Sequence, residues 1–263
     1  MYSIFFKIFS RFVRYFYNFN NKEQLENLNK LFYMGGFSFH ATFVDDFNLI
    51  TRMNSEFKEN HRFIQATSFA QKLTNQERPL WISHVILWAA ETSIRLNGDF
   101  IELGVEKGFH SLSIINYVGV EKFSNKKFYL LDSWEGVDIE NLLPEEKIMD
   151  DKWNVQFQGN FPFIESTFGD FDFIKLIKGF VPDTLKLIDS ESIAFVHLDL
   201  NSANPEVDAL RYLWSKIKTG GIVILDDYNA FSREPQKHAI DKLADELSFS
   251  VLSLPKGQGM IIK

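Results

Sequence analysis

Three aspartates stand where two apolar runs give out. Residues 193–200 (IAFVHLDL) carry Asp199, and residues 221–225 (GIVIL) are followed at once by Asp226 and Asp227. A helical pattern joins the two runs and ends in Lys218-Thr219-Gly220-Gly221. Continuous apolar, β-branched runs of this length are what strands buried on both faces of a parallel sheet look like, and strand–helix–strand is a βαβ unit. Parallel strands bring their carboxyl ends to one sheet edge, where open α/β sheets bind their ligands. The three carboxylates are therefore expected to meet in one crevice. Like charges that close repel one another unless a cation sits among them, and an oxygen-only set suits Mg²⁺ or another divalent cation. The blander alternative is that Asp199 and Asp226 cap helices or solvate strand ends.

The elements that must hold these residues follow from the rest of the chain. From 80 to 96 apolar residues recur at helical spacing, and His84 inside that stretch is read as structural. A strand over 100–105 runs into a turn carrying Gly104 and Gly108, and a helix starts near Ser111. A glycine turn between strand and helix lets a ligand approach backbone N–H groups at the helix start. The spacing is not the Gly-x-Gly-x-x-Gly of nicotinamide enzymes. The next strand, 127–131, ends in Asp132, a position from which an acid can accept both hydroxyls of a ribose. Residues 137–168 read as an insertion above the sheet edge and 173–178 as a third strand, with Gly179-Phe180 placed to cover an adenine. A helix over 234–247 follows the Asp226–Asp227 pair, with His238 facing solvent. The tail, SVLSLPKGQGMIIK, reads as a hairpin closing the sheet. Its Lys-Gly-Gln-Gly turn lacks the following helix and Ser/Thr of a phosphate-binding loop. This alternation predicts an α/β, doubly wound, Rossmann-like sheet, mostly parallel with an antiparallel C-terminal hairpin.

Bulk properties narrow the function classes. The 263 residues suit one large domain, or a core domain with an N-terminal appendage, and 45% apolar content is enough for a sizeable core. The absence of cysteine excludes disulfides, thiolate metal sites and a cysteine nucleophile, and fits a reducing, cytoplasmic setting. A net charge of −7 argues against a nucleic-acid binder, which needs a basic face. The 28 phenylalanines are read as compositional bias rather than as a functional signal. No run approaches the ~20 apolar residues of a transmembrane helix.

Three segments are expected: an aromatic and basic appendage over 1–30, a helical lid or substrate-side segment over 31–80, and the main domain over 81–263. In the second, Gly35-Gly36 marks a turn, 61–73 a helix, and Asp45-Asp46 a helix cap. The N-terminus, MYSIFFKIFSRFVRYFYNF, sets Lys7, Arg11 and Arg14 on one side of a helix. Peripheral contact with a membrane interface is one reading, and packing on protein, including a second copy in a homo-oligomer, is the other.

Five motifs in order resemble a known family: Glu102-Leu103-Gly104-Val105-x-x-Gly108, Asp132-Ser133-Trp134-Glu135-Gly136, Gly179-Phe180-x-x-Asp183-Thr184-Leu185, His197-Leu198-Asp199, and Gly220-Gly221 with Asp226-Asp227-Tyr228. Together they are similar to the macrocin O-methyltransferase family, metal-dependent sugar O-methyltransferases of macrolide and aminocoumarin biosynthesis. The match covers about residues 75–263. The resemblance implies a class I methyltransferase using S-adenosyl-L-methionine and Mg²⁺ on a small-molecule or glycan acceptor. By the family's pattern Glu102, Gly104 and Gly108 line the methionine end and Asp132, beside Ser133, takes the ribose. Gly179 and Phe180 lie near the adenine; Asp199, Asp226 and Asp227 hold the metal, and Asp199 is also the base. Phe109 and His110 depart from the family's small residues after Gly108, which narrows the cofactor pocket. The loop Leu200-Asn201-Ser202-Ala203-Asn204-Pro205 departs from its usual acid and aromatic, so macrolide or coumarin sugars do not follow. The rival readings are a nucleotide-sugar enzyme on the same sheet and a binding or scaffold protein without turnover.

Overall fold

A computed structural model of the chain describes residues 26, 29–30, 33–35, 43–45, 49–51, 55–139, 142–146, 154–230 and 233–263. The basic, aromatic segment over 1–20, Gly36, Asp46, and Asp150 and Asp151 of the insertion lie outside the described residues. The chain divides into two units, Met1–Asn60 with Pro79–Trp81, and His61–Arg78 with Ile82–Lys263.

In the first unit, β1 (Phe43–Asp45) and β2 (Leu49–Thr51) pair antiparallel, with Asp45 opposite Leu49. Asp45 thus closes a strand instead of capping a helix, a correction to the sequence expectation. A three-residue connection between short β-capable runs is a hairpin signal that the Asp-Asp pair masks. Phe57 meets the Trp81 ring edge-on, with centroids 4.8 Å apart.

From His61 onward the elements are α1 (His61–Thr74), α2 (Leu80–Ser93, in the second unit from Ile82), β3 (Asp99–Leu103), α3 (Phe109–Val118), β4 (Phe128–Asp132), α4 (Phe161–Phe168), β5 (Ile174–Lys178), β6 (Ile193–Leu198), α5 (Ala203–Trp214), β7 (Ile217–Leu225), α6 (Glu234–Leu247), β8 (Leu252–Ser253) and β9 (Gly259–Ile262). The strand order is β5-β4-β3-β6-β7-β9-β8; β3 to β7 are parallel, and β9 and β8 antiparallel at the edge. The chain winds outward from β3 through β4 and β5, then returns to the other side of β3 as β6. The topological switch therefore lies between β3 and β6, where such sheets bind ligands. Every residue of β6 is buried, as a strand covered on both faces requires.

Two expectations shift. The connection over 137–168 is not all insertion: its end is α4, the crossover helix that β4 needs to reach its parallel neighbour β5. The helix of the central βαβ unit stops at Trp214, and residues 218–221 belong to β7 as a bulge, since Ile193 pairs with Ile217 but Phe195 with Ile222. Gly220 sits there at φ +83° and donates its N–H to the Lys263 carbonyl at 2.6 Å. At the far end of the sheet from the carboxyl tips, Phe100, Phe123, Phe128, Phe173 and Phe195 form one aromatic cluster, so part of the phenylalanine excess is core. Among the described residues no helix is long and apolar enough to cross a membrane.

Gly104 joins β3 to the site. It lies at φ +87°, and a Cβ there would stand 1.8 Å from the Asp199 carbonyl oxygen. Its smallness lets the end of β3 press against the end of β6. Gly104→Ala is expected to cost roughly 2–4 kcal/mol from overpacking and left-handed strain. That should lower Tm by roughly 5–10 °C in a thermal melt; an unchanged Tm would show that the two strand ends separate freely.

Candidate active site

The site is built from the tips of five strands. Leu198 pairs with Leu225, so Asp199 and Asp226, the next residues on each strand, are cross-strand neighbours. The Asp199 N–H donates to the Leu103 carbonyl at 2.8 Å and the Asp226 N–H to the Leu198 carbonyl at 2.9 Å, tying the β3, β6 and β7 tips in sequence. On the other side, the Gly104 N–H donates to Leu131 and the Gly179 N–H to Asp132, both at 2.9 Å. The sheet thus brings Glu102, Gly104, Asp132, Gly179, Asp199 and Asp226 along one edge.

Beneath the carboxylates runs a buried chain of charges. His197, fully buried and directly opposite Glu102 in the parallel register, places Nδ1 3.0 Å from Glu102 Oε1 and Nε2 3.6 Å from Asp226 Oδ1. Burial alone would push the imidazole down, but the carboxylates of Asp226 and Glu102 outweigh it and hold its pKa up at about 10. With a carboxylate facing each ring nitrogen, the ring is an imidazolium. The second Glu102 oxygen accepts from the Ser111 hydroxyl, so this acid, which the family pattern assigns to the methionine end, has both oxygens engaged inside the protein. Asp226 Oδ1 also accepts from Gln258 Nε2 at 3.0 Å. Burial would raise Asp226, and His197 reverses that and holds it below the ordinary range. His110 packs edge-on against His197, centroids 5.4 Å apart; burial and the neighbouring cation push it well down, so it is neutral.

The other acids are crowded upward. Burial, then the charges of Asp226 and Asp227, push Asp199 well above the usual carboxylate range. Burial lifts Asp227 to about 6 against the opposing pull of Arg233. Its Oδ2 is buried outside hydrogen-bond geometry, with Arg233 Nε 3.4 Å away. Arg233 also donates to the Asn201 carbonyl (3.1 Å) and Oδ1 (2.7 Å), while Asn201 Nδ2 donates to Asp199 Oδ1 at 3.0 Å. Glu206, fully buried at the start of α5, is likewise pushed well up by burial and by Asp227 and Asp199; it accepts from Gln236 Nε2 at 2.9 Å and the Leu200 N–H at 3.3 Å.

Tested against a divalent cation, this donor set fits in kind: three hard oxygen donors on adjoining strand tips, one of them a buried oxygen without a hydrogen bond, crowd each other's charge. Among the described residues, however, no three His, Asp or Glu side chains are drawn together as a closed ligand set.

The glycine-turn half is pinned by Asp132. Its Oδ2 accepts the N–H groups of Val105 (2.7 Å) and Glu106 (2.8 Å), and its Oδ1 that of Trp134 (2.6 Å). Oδ2 is filled by its two bonds, and Oδ1, with one, keeps lone-pair capacity for a ligand hydroxyl. Glu106 is held at φ +50° by these bonds, by the Trp134 Nε1–H donating to its carbonyl at 2.8 Å, and by an ion pair with Arg78. Ser133 turns inward, donating to the Gly136 carbonyl at 2.7 Å. Gly108 is backed by Phe168, whose ring a Cβ would meet at 2.5 Å, and Phe109 is buried beside it. Phe180 stays 36% exposed, free to cover a flat ligand.

His197 carried only a motif position in the sequence. Glu206, Gln236, Gln258, Arg233 and Arg78 carried none, since isolated polar residues at helix starts and in turns have no period to betray them. Gln258 comes from the turn whose phosphate-binding reading fails; it reaches the site instead because β9 pairs with β7.

The Macrocin-O-methyltransferase (TylF) family model matches residues 39–247. Demethyldecarbamoylnovobiocin O-methyltransferase from Streptomyces niveus is 24% identical over 163 residues, 57% of this chain; the chain spans 62% of that relative's length. Among solved structures, the O-methyltransferase NovP superposes with a TM-score of 0.60 at 20% identity, covering 69% of this chain and 78% of its own. CalS11, a calicheamicin methyltransferase, gives 0.59 at 17% identity, covering 81% and 94%. At these identities the superpositions establish the fold.

The buried imidazolium makes stability depend on pH with a definite sign. Its folded pKa of about 10 exceeds the ordinary 6.5, so its contribution is complete below about pH 6.5 and drains away as pH rises toward 10. Denaturant midpoints should fall across that window. His197→Gln should flatten the alkaline fall and cost roughly 3–5 kcal/mol at neutral pH, because it leaves two buried carboxylates facing no cation; an unaltered slope would mean that another group titrates.

Proposed function

Because the chain belongs to the macrocin-O-methyltransferase family, we propose that it transfers a methyl group from S-adenosyl-L-methionine to a hydroxyl of a sugar or glycan-like small molecule, with Asp199, Asp226 and Asp227 holding Mg²⁺ or a similar divalent cation. The observation that carries this reading is that Asp199 and Asp226 are cross-strand neighbours at the ends of β6 and β7, with Asp227 next in the chain, beside the β3–β6 switch point where Gly104 sits.

A sulfonium donor supplies an electrophilic methyl carbon, and the acceptor oxygen must lose its proton as it attacks in line. A sugar hydroxyl is a weak nucleophile near neutral pH. Asp199, aligned by Asn201 and raised by burial and its neighbours, takes that proton, a general-base contribution of roughly 10²–10⁴ in rate. The bound cation would supply Lewis-acid polarisation and a template for the hydroxyl. Asp226 is kept anionic by His197 and aligned by Gln258, so one ligand arm is fixed before anything binds. On the cofactor side Asp132 orders the Val105–Glu106 turn, and the flat side of Phe180 covers the adenine. Placing the reacting groups in this way is worth more than either alone, since a displacement at carbon is demanding in orientation.

Calorimetry on the full chain tests both halves. S-adenosylhomocysteine should bind and NADH should not; no binding of S-adenosylhomocysteine overturns the methyltransferase reading. Mn²⁺, used as a paramagnetic stand-in, should bind the wild type and lose at least roughly tenfold affinity in Asp226→Ala, with S-adenosylhomocysteine binding kept. Equal Mn²⁺ affinity in that variant would remove the cation from these three residues.

A further inference from the structure

The loop that follows Asp199 lacks the family's usual acid, and its own residues supply a different hold on that carboxylate. Asn201 sits at φ +58°, a left-handed conformation that asparagine adopts more readily than most non-glycine residues. There its Nδ2 donates to Asp199 Oδ1 at 3.0 Å. Its Oδ1 accepts from one terminal nitrogen of Arg233 at 2.7 Å, and its carbonyl from the other at 3.1 Å. The third nitrogen of the same guanidinium, Nε, faces Asp227 Oδ2 at 3.4 Å. One largely buried side chain thus ties the loop after β6 to the residues after β7, and both ends are anchored. The Arg233 N–H donates to the Ala230 carbonyl at 3.1 Å, and the Lys237 N–H donates to the Arg233 carbonyl at 3.2 Å. On the other side the Leu200 N–H donates to buried Glu206 at 3.3 Å.

Counting donors and acceptors explains the residue types. A guanidinium only donates and an ionised carboxylate only accepts, so a residue between them must do both, as an amide does. An acid at 201 would satisfy Arg233 but set oxygen against oxygen at Asp199. The planar fork is equally specific, because a lysine ammonium is a point donor that does not reproduce its two parallel bonds. Among the described residues nothing bonds Asp199 Oδ2. We infer that Arg233 and Asn201 are positioning residues for the reaction: they lock Asp199 before any ligand arrives, engaging Oδ1 with the amide and presenting Oδ2 to the reacting groups. The inference rests on the proposed function above and adds to it the parts that aim its base.

The test uses the full-length chain and two mild variants. Asn201→Gly removes the amide at a backbone angle that glycine accepts without strain, and Arg233→Lys keeps the charge beside Asp227 while losing the fork. In metal-free, isotope-labelled protein the Asn201 side-chain amide is identified by NMR from its loss in Asn201→Gly. It should exchange with water at least roughly tenfold more slowly than exposed asparagine amides, and Arg233→Lys should abolish that protection. An unprotected amide, or one indifferent to Arg233→Lys, would overturn the inference. Mn²⁺ affinity is then measured by calorimetry. Each single variant should lose roughly three- to tenfold, since Asp199 must then be ordered on binding. The double variant should lose at most about twofold more than the weaker single, because both act through one chain of contacts. Losses that multiply, or wild-type affinity in both single variants, would also overturn the inference. Wild type that binds no Mn²⁺ would count against the cation reading, and the amide measurement then decides the clamp alone. S-adenosylhomocysteine affinity should stay unchanged in all three variants; a loss there would mark a general disturbance and overturn the positioning role.

Discussion

The site depends on one buried cation. His197 stands between Glu102 and Asp226 on three neighbouring strands, and its charge is what permits acids to be packed at the tips of β3, β6 and β7. Remove it and Glu102 would be an anion in the protein interior with only a serine hydroxyl for company, a situation that buried groups avoid by taking up a proton. With it, Asp226 stays ionised although burial works against ionisation. The imidazolium is thus a fixed counter-charge, and the parallel register sets it directly opposite Glu102.

Around that centre the acids divide by environment. Asp226, beside His197, is pulled down; Asp199, Asp227 and Glu206, which crowd one another, are pushed up. Carboxyl groups whose surroundings drive their affinities for protons apart are the usual basis for separate roles as ligand and base. Arg233 performs for Asp227 a weaker version of what His197 performs for Asp226. It is a largely buried cation, its side chain 10% exposed, held to the Asn201 loop.

Much of this fold was legible because its signals are periodic. The buried runs ending at Asp199 and Asp226, the helix Glu234–Leu247 and the closing hairpin all repeat or alternate, and the sheet followed from their order. The carboxyl-edge placement of Glu102, Gly104, Asp132, Gly179, Asp199 and Asp226 followed in turn from the parallel topology. What could not be read is pairwise. Nothing in the spacing of Glu102 and His197, 95 residues apart, announces that register will set them face to face. The Gly220–Gly221 bulge was hidden because glycines serve equally as a helix end and as a kink in a strand. Gly104 was legible as a glycine that matters, yet the reason is its contact with the Asp199 carbonyl as much as room for a ligand.

The same pairwise logic explains why the two halves of the site are mechanically joined. Gly104 is both the start of the turn after β3 and the surface on which the backbone of Asp199 rests. The turn's next residues, Val105 and Glu106, are held by Asp132, whose own carbonyl receives the Gly179 N–H. A shift of the turn would therefore be felt at Asp199 within one residue, and a shift of β6 would be felt at the Val105–Glu106 turn. For the proposed methyl transfer, which needs donor carbon and acceptor oxygen aligned to fractions of an ångström, backbone contact with no intervening side chain is a stiff coupling. That stiffness accounts for a glycine at 104 even before any ligand is considered.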